Sequence, residues 1–185
     1  MTKQYGLVFD SRRCIGCRTC VIACKVENGI ETGSWMKVLT NSGTTTDMPV
    51  GRYPQLSLSW QLHTCRHCEN PPCQEACPVE GAMFKRPDGV VLINRDECIG
   101  CRACGDACPY NAIRFNPNDG CAEKCTLCSH RIDQDLEPFC AKECIWGAIR
   151  FGDLLDPESE VSRLISQRKV HAVNPGEDTG RENNS

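Results

Sequence analysis

Long apolar runs are missing from this 185-residue sequence. The longest uncharged apolar stretches, such as Cys20 to Cys24 and Gly89 to Ile93, span only a handful of residues. A membrane-spanning helix needs roughly 20, so no bilayer span by the chain itself is expected. Bulky apolar side chains are scarce as well: hydrophobic residues make up 40% and aromatics 6%. Setting the cysteines aside lowers the apolar share to about 31%. No ordinary aliphatic core can stabilise such a chain, so crosslinks or metal must do it. Positive charge is not in excess either, with 21 Lys and Arg against 24 Asp and Glu and a formal charge of -3, and a nucleic-acid-binding surface is not indicated. The first ten residues carry one Lys and no apolar core, and Arg12-Arg13 runs into Cys14. The start therefore reads as neither a secretory nor a twin-arginine signal.

Cysteine is what the sequence has in plenty, 17 residues in all. They fall into four groups of four: Cys14, Cys17, Cys20, Cys24; Cys65, Cys68, Cys73, Cys77; Cys98, Cys101, Cys104, Cys108; and Cys125, Cys128, Cys140, Cys144, with Cys121 left over. Groups one and three read CxxCxxCxxxC, group two reads CxxCxxxxCxxxC, and group four opens with CxxC and closes with CxxxC. A disulfide framework fits poorly, because the count is odd and no secretion signal is visible. Structural zinc takes two CxxC pairs held apart by a folded spacer, whereas CxxCxxC crowds three thiols into one loop. A cubane presents its irons at separate corners, and closely spaced thiolates can wrap three of them while the fourth ligand arrives from elsewhere. Four [4Fe-4S] clusters are therefore expected. Cys77-Pro78 and Cys108-Pro109 add the terminal CP of that spacing, which Cys24-Lys25 and Cys144-Ile145 lack.

Internal repeats organise the groups. Leu7-Val8-Phe9 leads into Cys14-Ile15-Gly16-Cys17 as Val91-Leu92-Ile93 leads into Cys98-Ile99-Gly100-Cys101, and Asn111 to Phe115 matches Gly147 to Phe151, with Gly81 to Phe84 a looser third version. Short strands are expected after each cysteine loop, a hairpin over Met83–Lys85 and Val90–Ile93 around the turn Arg86 to Gly89, and a short helix over Ala23–Glu27. Leu56, Leu58, Trp60 and Leu62 alternate with polar residues and predict one strand. The expected fold class is α+β: two nested bacterial-ferredoxin-like modules with pseudo-twofold repeats, short hairpins and helices, and much irregular structure. Residues 65–116 form the inner two-cluster module. Residues 1–64 give the first half of the outer module with an inserted segment, 117–155 its second half, and 156–185 a C-terminal extension.

The runs resemble two-cluster bacterial ferredoxins, in which the fourth Cys of each run ligates the other cluster. The resemblance implies four ligand sets: Cys14, Cys17, Cys20 with Cys144; Cys65, Cys68, Cys73 with Cys108; Cys98, Cys101, Cys104 with Cys77; and Cys125, Cys128, Cys140 with Cys24. The alternative is that each group holds its own cluster. Arg18, Arg66, Arg102, Lys124 and Lys142 lie beside these cysteines, where a cation favours the reduced state, and each is read first as a solvated surface charge. His63 and His67 are read as hydrogen-bonding or packing groups, because group two already has four thiols. Cys121 is read as a free thiol.

Taken with His67 to Cys73, Ala82 to Phe115, Lys124-Cys125 with Cys128, and the segments Phe151 to Leu154 and Glu160 to Leu164, the pattern resembles the four-cluster iron-sulfur subunits of dimethyl sulfoxide, polysulfide and thiosulfate reductases. The similarity runs to about Ile165. Cys121, the lack of an aromatic ending in residues 171–185 and the lack of a C-terminal membrane helix depart from it. The resemblance implies a subunit that catalyses nothing alone. It would relay single electrons between a membrane quinone-reactive subunit or a soluble donor and a molybdenum or tungsten bis-pterin catalytic subunit. Hydrogenases and formate dehydrogenases use similar subunits, and a free polyferredoxin is the other reading. Localisation is expected to be cytoplasmic, or periplasmic by co-export with a signal-bearing partner. With four oxidised clusters the chain would carry a charge of about -11.

Overall fold

The computed structural model describes residues 3–167 and 171–172. Its elements are short because cysteine loops interrupt every apolar segment. In chain order they are β1 (Tyr5–Phe9), α1 (Thr19–Glu27), β2 (Met36–Thr40), β3 (Val50–Arg52), β4 (Gln55–Ser57), β5 (Trp60–Thr64), α2 (Pro72–Glu75), β6 (Met83–Lys85), β7 (Val91–Ile93), α3 (Ala103–Asp106), β8 (Arg114–Phe115), β9 (Ala122–Glu123), α4 (Ser129–Ile132), α5 (Phe139–Lys142), β10 (Ile149–Asp153), α6 (Glu160–Ser166) and β11 (His171–Ala172).

Segments far apart in sequence pair in one sheet. β1 lies between β10 and β11, antiparallel to both, with Tyr5 opposite Asp153 and Phe9 opposite Ile149. Leu7 and Val8 are both almost fully buried, since each face of β1 is covered. Leu7 packs with Met36, Val38, Leu127 and Ile149 in the main core, while Val8 meets Val161 of α6 on the other side. A second core gathers Cys73, Met83, Val91, Cys104 and Ala122. Cysteines thus occupy positions that aliphatic residues fill in an ordinary domain.

The hairpin forms as expected: β6 pairs with β7, Met83 opposite Ile93, and Gly89 at φ +85° closes the turn. The Asp88 carbonyl at its tip accepts from the Tyr5 N–H at 3.0 Å, tying this hairpin to the terminal sheet. Short strands follow the cysteine loops at β6, β8 and β10.

Two local expectations need correction. The helix expected over Ala23–Glu27 begins at Thr19, so Cys20 and Cys24 stand one turn apart on it. The single strand expected from Leu56 to Leu62 is two strands with different partners, β4 on β3 and β5 on β2. The ladder must break where the partner changes, at Leu58-Ser59, and the Ser59 carbonyl accepts from the Asn41 N–H instead. Leu62 is buried on β5, whereas Leu56 sits exposed on the outlying ribbon. Among the described residues no helix is long and apolar enough to cross a membrane. Residues 173–185, which include most of the tail singled out above, lie outside the described residues.

Candidate metal centres

The four CxxC loops share one backbone device. The residue before the second cysteine has a positive φ in every case: Gly16 at 71°, His67 at 45°, Gly100 at 67° and Leu127 at 55°. This left-handed step turns a backbone N–H back onto the first sulfur of three loops. Gly16 N donates to Cys14 Sγ at 3.5 Å, His67 N to Cys65 Sγ at 3.5 Å, and Leu127 N to Cys125 Sγ at 3.3 Å. Cys98 Sγ accepts from Ala122 N on β9 at 3.4 Å instead.

The CxxxC ends are one-turn segments whose two sulfurs face different partners. Cys14, Cys17, Cys20 and Cys144 line one cavity. Cys65, Cys68, Cys73 and Cys108 line a second. Cys77, Cys98, Cys101 and Cys104 line a third. In the remaining set, Asn28 Nδ2 donates to both Cys24 Sγ at 3.8 Å and Cys128 Sγ at 3.7 Å. Burial, and then the proximity of Cys125, Cys128 and Cys24, pushes the Cys140 thiol well above its usual range. Each CxxxC therefore spans two sets. α1 packs on α5 and joins the first set to the fourth, while α2 packs on α3 and joins the second to the third.

Between these pairs Cys125 lies near enough to Cys65 to feel its charge, and its thiol is pushed up to about 11 by burial and then by Cys65. The four sets thus run in the order first, fourth, second, third. Exposure follows the same order: Cys24, Cys125, Cys128 and Cys140 are all buried, whereas Cys17 and Cys101, in the two outermost sets, are exposed. Ile15, Ile145 and Trp146 stand exposed beside the first cavity, and Ile99 beside the third.

A multinuclear group fits these donors. Three sets gather three thiols from one run and a fourth from another, and the last brings Cys24 to the run of Cys125, Cys128 and Cys140, the donor pattern that can take separate irons of a cubane. Burial holds the Cys20 thiol at about 12, followed by the effects of Cys144, Cys14 and Cys17, and holds Cys73 at about 11. Four such sulfurs ionise together only around a strong cation.

The other residues singled out in the sequence separate by environment. Arg18 pairs with Asp47 at 2.7 Å, Arg66 stacks over Tyr110, Arg102 stacks over Phe115, and Lys142 is exposed. Lys124 is not a surface charge. It is 2% exposed, donates to the carbonyls of Val91 and Cys125, and lines the second cavity. His63 is exposed on β5, whereas His67 is buried, and burial followed by the Lys124 charge pushes its pKa well below the usual range. Cys121 Sγ faces the Cys98 carbonyl at 3.6 Å and does not line the third cavity. Asn28 carries no signal in the sequence, because no local pattern links it to a sulfur 100 positions away.

Comparison with known proteins agrees with this chemistry. Residues 57–154 match the 4Fe-4S dicluster domain family. A protein of Halobacterium salinarum named as the iron-sulfur subunit of a dimethyl sulfoxide reductase is 44% identical over 92% of this chain and 74% of its own length. A tetrathionate reductase subunit of Salmonella typhimurium is 37% identical, over 90% of this chain and 64% of its own length. One of the chains of the anaerobic dimethyl sulfoxide reductase of Escherichia coli is 39% identical over 95% and 87%. With its cysteine loops built alike, the sequence belongs to the 4Fe-4S dicluster family of electron-transfer iron-sulfur subunits.

Proposed function

We propose that this chain relays single electrons through four [4Fe-4S] clusters to or from a separate catalytic subunit and catalyses nothing by itself. The ligands would be Cys14, Cys17, Cys20 and Cys144; Cys65, Cys68, Cys73 and Cys108; Cys98, Cys101, Cys104 and Cys77; and Cys125, Cys128, Cys140 and Cys24. What supports the reading is that Cys144, Cys108 and Cys77 each line a cavity with three cysteines of another run, and that Asn28 bridges Cys24 and Cys128. Two nested ferredoxin-like modules are the fold class that goes with it, since α1 and α5 come from opposite ends of the chain.

A bound cluster supplies a reversible one-electron couple. The chain supplies its environment. N–H···S bonds from Gly16, His67, Leu127 and Ala122, with those of Ala112 to Cys108 and Ile149 to Cys144, stabilise negative charge on the sulfurs. Four thiolates per cluster leave no iron open to a substrate. The fully buried fourth set excludes water from the middle of the path, and the exposed Cys17 and Cys101 are its two ends. The apolar side chains beside these ends suit redox partners: a molybdenum or tungsten bis-pterin subunit at one and a membrane quinone-reactive subunit or soluble donor at the other. The names of the relatives, which are subunits of reductases, favour this over a free polyferredoxin.

Anaerobically purified protein should contain about 16 iron and 16 sulfide per chain. A reproducible value of about 8, matching a single two-cluster domain, would reject the four-cluster reading.

A further inference from the structure

His67 is a buried imidazole whose two nitrogens are treated differently. The ring is 1% exposed, and Nδ1 accepts a hydrogen bond from the Val91 N–H at 3.0 Å. The proton of the neutral ring therefore sits on Nε2. That nitrogen is fully buried and has no partner among the protein atoms. His67 is among the residues that line the cavity shared by Cys65, Cys68, Cys73 and Cys108. Glycine occupies the equivalent loop position in two of the other three runs, yet here a bulky side chain adopts φ +45°.

We propose that His67 Nε2–H donates a hydrogen bond to a sulfur of the cluster held by Cys65, Cys68, Cys73 and Cys108 and so favours its reduced state. His67 is then a positioning and tuning residue rather than a ligand. Such a donor would offset part of the negative charge added on reduction, beside the buried Lys124 that lines the same cavity. The inference rests on the assignment of those four cysteines to one cluster.

The test uses the full chain, loaded and handled anaerobically. In protein carrying ¹⁵N-labelled histidine, pulsed electron-paramagnetic spectra of the reduced state should show one ¹⁵N coupled to one cluster signal. His67→Asn keeps an acceptor near the Nδ1 position and tolerates the left-handed backbone but has no atom at Nε2. It should abolish that coupling and lower the reduced-to-oxidised ratio of the same cluster about tenfold at a fixed potential, equivalent to about 59 mV for one electron. His67→Gln, whose amide N–H reaches the Nε2 position, should restore most of the ratio, which a purely structural role would not do. Absence of ¹⁵N coupling in the unsubstituted protein would overturn the proposal, even if the variants fail to fold. Persistence of the coupling in His67→Asn would also overturn it. Iron near 16 alongside either result would leave the four-cluster reading standing. Iron short by one cluster in the unsubstituted protein, with this signal missing, would reject the underlying assignment instead.

Discussion

Gly100→Ala should destabilise the third cysteine loop through a contact that can be isolated. Gly100 has φ +67°, and a Cβ placed on it would stand 2.8 Å from the Gly120 carbonyl oxygen and 3.3 Å from its carbon. The left-handed conformation costs an alanine about 1–2 kcal/mol. Moving the Gly120 backbone aside adds about 1–3 kcal/mol, for a total of about 2–5 kcal/mol. Gly29→Ala is the control, since Gly29 has φ +59° and a Cβ there meets nothing within 4 Å. It carries the conformational cost alone. Iron-sulfur proteins lose their clusters irreversibly on unfolding, so the assay is the rate at which visible absorbance bleaches at a fixed temperature under argon. Gly100→Ala should bleach at least about fivefold faster than Gly29→Ala, the lower end of the 1–3 kcal/mol difference. The cluster of Cys77, Cys98, Cys101 and Cys104 should go first. Equal bleaching of the two variants would refute the reasoning, because it would mean that the Gly120 carbonyl yields at no cost.

Other outcomes follow from the packing. Leu7→Ala, which empties a site 1% exposed in the main core, should cost about 2–5 kcal/mol and accelerate bleaching of all signals together. Ser159→Ala removes the side chain that caps α6, accepting from Ser162 N at 3.1 Å and donating to the Asp153 carbonyl at 2.7 Å; the loss should be about 1 kcal/mol, with cluster spectra unchanged. Cys121→Ala should leave iron content and spectra as they are, and loss of one cluster would identify Cys121 as a ligand. Stripping iron with a chelator should abolish the cooperative thermal transition, since the cores contain the cysteines themselves.

The cysteine spacing made the loops, their grouping and the hairpin of β6 and β7 legible, because CxxC and turn chemistry act over a few residues. Spacing also made α1 legible but not its start: Arg18 is left-handed just before it, and nothing local announces that Cys20 already lies on a helix. The strand from Leu56 to Leu62 misled for the opposite reason. Its alternation is genuine from Leu58 onward, but a period of two cannot tell which partner each half pairs with. Charge beside a cysteine proved equally ambiguous. Arg18 and Lys142 stay at the surface, whereas Lys124 is buried against the Val91 carbonyl, 33 positions away. Burial of His67 and the sulfur contact of Asn28 likewise depend on segments far off in sequence, 24 and 100 positions away.

The central claim is that neighbouring cysteine runs exchange their fourth ligands, and electron-paramagnetic spectra of single Cys→Ser variants test it most directly. Cys77→Ser and Cys101→Ser should perturb one and the same signal, and Cys68→Ser and Cys108→Ser a different one. Cys24→Ser should likewise share a signal with Cys128→Ser, and Cys144→Ser with Cys17→Ser. If Cys77→Ser instead perturbs the signal that Cys68→Ser perturbs, each run holds its own cluster, and the exchange together with the electron path drawn from it is contradicted.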